Sequence, residues 1–141
     1  MKHIVMLSFA LVIMLGNFPC NAQSNKNSDA KSTASTKIEV YYFHFTARCS
    51  TCHAVEDNAK SAVESLYPEQ IKSGEFTFKG LNLDDASSKA IAEKLGVGGQ
   101  TLLVVCGDKK IDLTSQGFMY AHDPDKIKEE IKKAIEKVLK G

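Results

Sequence analysis

Two cysteines, Cys49 and Cys52, are separated by two residues, and His53 follows directly. Thiolates are the nucleophiles of thiol–disulfide exchange, and a pair at this spacing is typical of a dithiol redox centre. The same pair followed by His is also the attachment sequence of c-type haem. A third possibility is a zinc or copper site in which His44 or His53 joins the two thiolates. The segment 48–53 alone therefore fits three kinds of chemistry.

The segments on either side of the pair favour the dithiol. Residues 38–45 are β-branched and aromatic for the most part and predict a buried strand, and apolar residues from Val55 to Leu66 fall at helical spacing. A CxxC between a strand and a helix is typical of a redox motif. Small c-type haem proteins are usually helical and need a second axial ligand, for which Met119 or His122 could serve. A closed metal site lacks the second CxxC or HxxxH pattern that would complete it.

A dithiol at this junction has a simple mechanism. Cys49 is expected at the start of a helix, where the helix dipole and free backbone N–H groups favour the thiolate. Arg48 is expected to add positive charge beside it. Cys49 would then attack a partner disulfide, and Cys52, one turn further into the helix, would resolve the mixed disulfide. The alternative is a static disulfide, but it would close so small a loop that it would add little stability.

Three further residues, Cys106, Met119 and Tyr120, are expected to pack in the domain rather than to take part in the chemistry. Cys106 lies in a predicted core strand and is expected to behave as a small buried apolar residue. Met119 and Tyr120 follow Gly117 after the last predicted strand, and we expect them to pack against the sheet.

The N-terminal residues predict export. Residues 4–15 are apolar except for Ser8, and Cys20-Asn21-Ala22 places small residues before a cleavage point, so residues 1–22 are interpreted as a signal peptide. Residues 23–36 contain no large apolar side chain and predict a disordered linker. Lipidation of Cys20 would turn that linker into a membrane tether. The protein is therefore expected to be periplasmic or secreted, and lipidation of Cys20 would make it a lipoprotein.

The folded domain is predicted from residue 37 to residue 141, with elements in the order β, α, β, α, β, β, α. A strand–helix–strand unit gives a parallel crossover, and a later hairpin adds antiparallel strands. The predicted fold class is α/β, with a central four-stranded mixed sheet flanked by helices. Such a domain must rest on a hydrophobic core, since the mature chain has only Cys49, Cys52 and Cys106.

Local signals predict how the elements begin and end. The alternation of apolar residues slips near Gly80, which predicts a β-bulge in the second strand. Gly96 is expected to end a helix in the left-handed conformation. Residues 107–110 predict a hairpin turn, and Asp123 followed by Pro124 predicts the start of the last helix.

The element order and the position of the CxxC resemble the thioredoxin family over residues 37–139. More narrowly, three segments are similar to a small group of exported thioredoxin-like proteins labelled nitrophenyl compound nitroreductase subunits: YYFHFTARCSTC at residues 41–52, GVGGQTL at 96–102 and GFMYA at 117–121. The resemblance implies a thioredoxin-like fold, Cys49 as the catalytic nucleophile and Cys52 as the resolving cysteine.

The sequence departs from the thioredoxin pattern at two places. Where many members have a buried acid six residues before the first cysteine, this chain has Phe43, so His44 or Glu39 would have to replace it. Where the family has a cis-proline before Thr, this chain has Gln100 before Thr101. We therefore expect a trans peptide and a more open groove, with Gln100 and Thr101 as substrate-binding residues.

The function predicted from these residues is thiol–disulfide exchange or electron transfer. The expected partners are thiols and disulfides of exported proteins and an upstream electron donor. With 18 basic and 17 acidic residues the chain shows no charge pattern that would suggest nucleic acid. We expect no bound metal or organic cofactor, because no flavin or nicotinamide fingerprint is present. The alternative is a zinc or copper carrier, or a non-catalytic adaptor with the same fold.

Overall fold

The computed structural model describes residues 37–140. The predicted signal peptide (1–22), the predicted linker (23–36) and the lipidation of Cys20 all lie outside these residues and stay predictions. Within the described range, no helix combines the length and apolar character needed to cross a membrane.

The described residues form four strands and five helices. The strands are β1 (Ile38–His44), β2 (Phe76–Asn82), β3 (Thr101–Cys106) and β4 (Lys109–Asp112), and the helices are α1 (Ser50–Leu66), α2 (Pro68–Ser73), α3 (Ala86–Leu95), α4 (Thr114–Met119) and α5 (Pro124–Lys140). The short helices α2 and α4 were not expected. Each is a single six-residue element, too short for a helical apolar pattern to be recognised.

The four strands make one mixed sheet in the order β2-β1-β3-β4. Strand β1 pairs with β2 in parallel and with β3 antiparallel, and β4 pairs antiparallel with β3. This order, with helices on both faces, is that of a thioredoxin-like fold, and it confirms the predicted fold class. Strand β1 is central and nearly buried throughout, because both of its faces are covered.

Two apolar clusters lie on opposite faces of the sheet. The larger cluster joins β1 and β3 to α1 and α5, and it includes Tyr42, Val55 and Ile131. We call it the α1/α5 cluster. The smaller cluster, which we call the α3 cluster, lies under α3 on the other face of the sheet, the α3 face. It includes Phe43, so consecutive β1 residues point to opposite faces.

The predicted bulge at Gly80 is wrong. Strand β2 pairs with β1 in unbroken register from Phe76 to Asn82. Phe76 and Phe78 pack in the α1/α5 cluster, whereas Leu81 and Leu83 pack in the α3 cluster. The apolar pattern shifts because the buried face changes along a strand that is covered on both sides.

Several predicted boundaries are confirmed, and others shift. Gly96 ends α3 with φ 71°, and the backbone N–H of Lys126 donates to Asp123 Oδ1 at 3.1 Å at the start of α5. The hairpin turn is shorter than predicted, since β4 already begins at Lys109. Cys106 is partly buried and packs against the α1/α5 cluster. The packing predicted for Met119 is wrong, because its side chain, at the end of the short α4, is 71% exposed.

Candidate functional site

The dithiol lies where strand β1 gives way to helix α1. Cys49 is the residue just before the helix, with extended dihedrals of φ −84° and ψ 171°, and Cys52 lies in its first turn. Cys49 is exposed, and Cys52 is only 4% exposed. Their sulfur atoms are 3.3 Å apart and both thiols are free. A disulfide needs about 2.0 Å between sulfurs, so a small side-chain movement would close the bond.

The start of α1 lowers the pKa of the Cys49 thiol below its ordinary value. The backbone N–H of Cys52 is the largest cause, followed by the Cys52 side chain, and the backbone and side chain of Thr51 add to the effect. The Cys49 side chain makes no capping hydrogen bond of ordinary length within the described residues. These donors at the start of the helix stabilise the negatively charged sulfur of Cys49.

This lowered pKa predicts the pH dependence of alkylation. Because the thiolate is the reacting form, the alkylation rate of Cys49 by iodoacetamide should rise with pH and level off at a lower pH than for an ordinary thiol. The measurement is the rate of Cys49 modification against pH, followed by peptide mass spectrometry. Unfolded protein in urea is the control. A profile that coincides with that of the unfolded protein would contradict the prediction.

Gln100 lies against the buried sulfur. Its Nε2 donates to Cys52 Sγ at 3.3 Å, and the Cys52 thiol reaches Gln100 Oε1 at 3.7 Å. The peptide before Thr101 is trans, as predicted, since residues 37–140 contain no cis bond. Thr101 donates its hydroxyl to the Gly99 carbonyl within the same loop. The amide of Gln100 can serve Cys52 in either protonation state, as donor to a thiolate or acceptor from a thiol.

The sequence predicted that Arg48 adds a positive charge beside Cys49, but in the structure this charge is already paired. Its guanidinium is paired with the carboxylate of Glu56, and the two side chains are only 15% and 19% exposed. Glu56 lies one helical turn beyond Cys52, and its carboxylate occupies the space above Gly80, where a Cβ atom would overlap Glu56 Oε1. The pair is therefore accommodated by a glycine in strand β2.

Neither residue proposed to replace the missing acid contacts Cys52. Glu39 pairs with Lys37 and Lys79. His44 donates from Nδ1 to the Phe45 carbonyl at 3.0 Å, and its ring stacks on Tyr42.

Sequence reasoning missed both Glu56 and Tyr42. Phe43 faces α3, so the neighbouring Tyr42 lies on the face that carries α1, where Cys52 is close enough to act on its hydroxyl. Strand alternation together with the (i, i+4) spacing of Cys52 and Glu56 would have indicated both residues.

The histidines do not complete a metal centre with the cysteines in this structure. His53 is exposed on α1. Among residues 37–140, no three His, Cys, Asp or Glu side chains come close enough together to hold a metal ion.

The comparisons with known proteins assign no family to this chain. No protein-family model matches the chain, and no curated protein matches it. The structure is similar to that of a malarial protein, with 15% identity and a TM-score of 0.39 over 61% of this chain and 93% of the other. It is also similar to the germline-specific thioredoxin Deadhead of Drosophila melanogaster, with 22% identity and a TM-score of 0.36 over 55% of this chain and 67% of that one.

Both TM-scores and both identities are low, so these likenesses carry no functional argument. The fold assignment rests on the strand order and the placement of the helices. The chain has a thioredoxin-like fold with a Cys49–Cys52 pair at the start of its first helix.

Proposed function

We propose that the protein is a thiol–disulfide oxidoreductase that acts on disulfides of exported proteins through Cys49 and Cys52. The observation that supports this most strongly is the pairing of an exposed sulfur with a buried one, 3.3 Å apart, at a helix start. The lowered pKa of Cys49 adds to it, because the exposed sulfur is then the better nucleophile at neutral pH.

The proposed exchange proceeds in two displacements. The Cys49 thiolate attacks one sulfur of a partner disulfide, that S–S bond breaks, and the other partner sulfur leaves with the electron pair and takes up a proton. Cys52 then attacks the Cys49 sulfur of the mixed disulfide. The Cys49–Cys52 bond forms, the partner's second thiol is released, and two electrons have passed to the partner. An upstream dithiol donor must reduce the pair again.

A partner segment is proposed to lie beside Gln100 and Thr101, where the loop after α3 leads into β3. On one side of this loop is a cavity of about 230 Å³, bounded on the sheet side by Phe45 and Leu83 and on the loop side by Val97 and Gly98. Phe45 is 40% exposed although it is a large apolar residue. An exposed aromatic that lines a cavity in this part of the fold suits a partner that offers an apolar side chain near its cysteine.

Export is part of the proposal, because disulfides of the proposed protein partners persist outside the cytoplasm. The predicted signal peptide supports that location, and lipidation of Cys20 would tether the protein to the membrane there. The narrower resemblance to nitroreductase subunits suggests that the dithiol passes electrons to another exported protein.

The test is catalysis of insulin reduction by the full chain with dithiothreitol as electron donor. We expect reduction well above the rate with dithiothreitol alone, and no acceleration by protein whose thiols have been alkylated. Folded protein that gives no acceleration would contradict the proposal. Zinc or copper retained through purification under reducing conditions, combined with no exchange activity, would instead support the metal carrier.

A further inference from the structure

Tyr42, on the face of the sheet that carries α1, has a buried hydroxyl that makes no hydrogen bond of ordinary geometry. Tyr42 is 0% exposed, and within the described residues its hydroxyl oxygen has no hydrogen-bond partner. Buried polar groups are almost always paired, because an unpaired one loses its hydration without compensation. Phenylalanine would fill the same space without that cost, so the hydroxyl calls for an explanation.

The groups around this hydroxyl belong to the dithiol site. Tyr42 packs in the α1/α5 cluster, on the face of the sheet that carries α1. Burial is the largest cause that raises the pKa of Tyr42 above its ordinary value, followed by the negative charge of Cys52 and by hydrogen bonding with the Cys52 side chain. The hydroxyl therefore lies within reach of Cys52, although it makes no hydrogen bond of ordinary geometry. Arg48 and Glu56 act on it more weakly and with opposite sign. The hydroxyl therefore keeps its proton throughout the physiological pH range and acts as a hydrogen-bond donor.

We propose that the Tyr42 hydroxyl is a hydrogen-bond donor held in reserve for the Cys52 thiolate that resolves the mixed disulfide. This inference rests on the proposed exchange function. A thiol sulfur is a weak acceptor, so the hydroxyl is unpaired while Cys52 is protonated, whereas a thiolate is a strong acceptor. The unpaired donor thus disfavours the thiol state of Cys52 relative to the thiolate state. Gln100 Nε2 contributes a second donor to the same sulfur.

The step balances without any added reagent. Cys52 loses its proton and attacks the Cys49 sulfur, the Cys49–Cys52 bond forms, and the bond from Cys49 to the partner breaks. The partner sulfur leaves with the electron pair and ends protonated, so the net proton transfer is from Cys52 to the released partner. Tyr42 keeps its own proton. The charged or titratable groups that face Cys52 or Tyr42 are Cys49, Arg48, Glu56 and His44.

The test is Tyr42→Phe in the full chain, followed with a chromogenic aromatic disulfide. Attack by Cys49 releases one coloured thiolate, and resolution by Cys52 releases the second, so the two steps are seen as separate phases. We expect an unchanged first phase and a second phase slowed about tenfold at neutral pH. The midpoint of the pH dependence of the second phase should rise by about one pH unit.

The matched control is Tyr41→Phe. Tyr41 is the adjacent buried tyrosine of β1 but points to the α3 face, where its hydroxyl interacts with Glu39. This variant should leave both phases and the pH midpoint unchanged. Thermal unfolding of reduced Tyr42→Phe should occur no lower than that of the wild type, because no hydrogen bond is lost.

The outcomes separate the two proposals. A wild-type protein without a first phase refutes the exchange function and this inference with it. A normal first phase with equal second phases in wild type and Tyr42→Phe refutes the inference alone. A lower unfolding temperature for Tyr42→Phe, with an unmoved pH midpoint, would show a purely structural hydroxyl and also overturn it.

Discussion

Cys49→Ser is expected to reduce insulin reduction to the rate with dithiothreitol alone. A serine hydroxyl is not ionised at neutral pH and cannot form the mixed disulfide, so the variant loses the first displacement completely. Cys52→Ser should instead keep the first displacement and accumulate the mixed disulfide, because the buried sulfur that resolves it is missing. The measurements are turnover for both variants and the mass of the covalent adduct on Cys49.

The matched control for these variants is Cys106→Ser. Cys106 is the third cysteine of the described residues and lies at the end of β3, paired in register with Ile38 at the start of β1. Since Cys49 lies beyond the opposite end of β1, the substitution should leave turnover unchanged. Equal losses in Cys49→Ser and Cys106→Ser, or full activity in Cys49→Ser, would contradict the assignment of Cys49.

The largest effect on stability is expected for Ile131→Ala. Ile131 is 0% exposed on the inward stripe of α5, where this helix packs on α1 and β3. Truncation removes buried methyl and methylene groups and leaves a cavity, which costs about 2–5 kcal/mol. A small domain has about 5–15 kcal/mol of unfolding free energy in total, so the variant should lose a large part of it.

The measurement is urea unfolding of the full chain, with Lys132→Ala as control. Lys132 is the next residue of α5, and its side chain is 57% exposed. Its replacement should change the unfolding free energy by less than about 0.5 kcal/mol. Similar losses for the two variants would show that α5 does not pack as described.

Features of the fold that depend on one local signal could be predicted from the sequence. The placement of CxxC between a strand and a helix follows from β-branched residues before it and helical spacing after it. Gly96 and Asp123 define helix ends through backbone conformation and a capping hydrogen bond, both of which are local. The buried residues of α5, among them Ile127, Ile131 and Ile135, also follow the helical period of 3.6 residues, which is a local pattern.

The remaining features depend on contacts between distant segments. The shift of apolar residues around Gly80 was interpreted as a bulge because the pattern does not show that both faces of β2 are covered. The glycine is needed instead for the carboxylate of Glu56, which comes from another element. The same limit applies to Gln100, whose contact with Cys52 spans two segments far apart in the chain.

The account depends on Cys49 and Cys52 acting as one reversible redox pair. The most direct measurement is equilibration of the full chain in buffers of increasing ratio of oxidised to reduced glutathione, followed by thiol trapping and peptide mapping. We predict one transition in which both cysteines oxidise together, giving a Cys49–Cys52 cross-linked peptide that excess reduced glutathione removes completely. Cys49 found as a lasting glutathione adduct while Cys52 stays free, or both thiols still free in the most oxidising buffer, would contradict it.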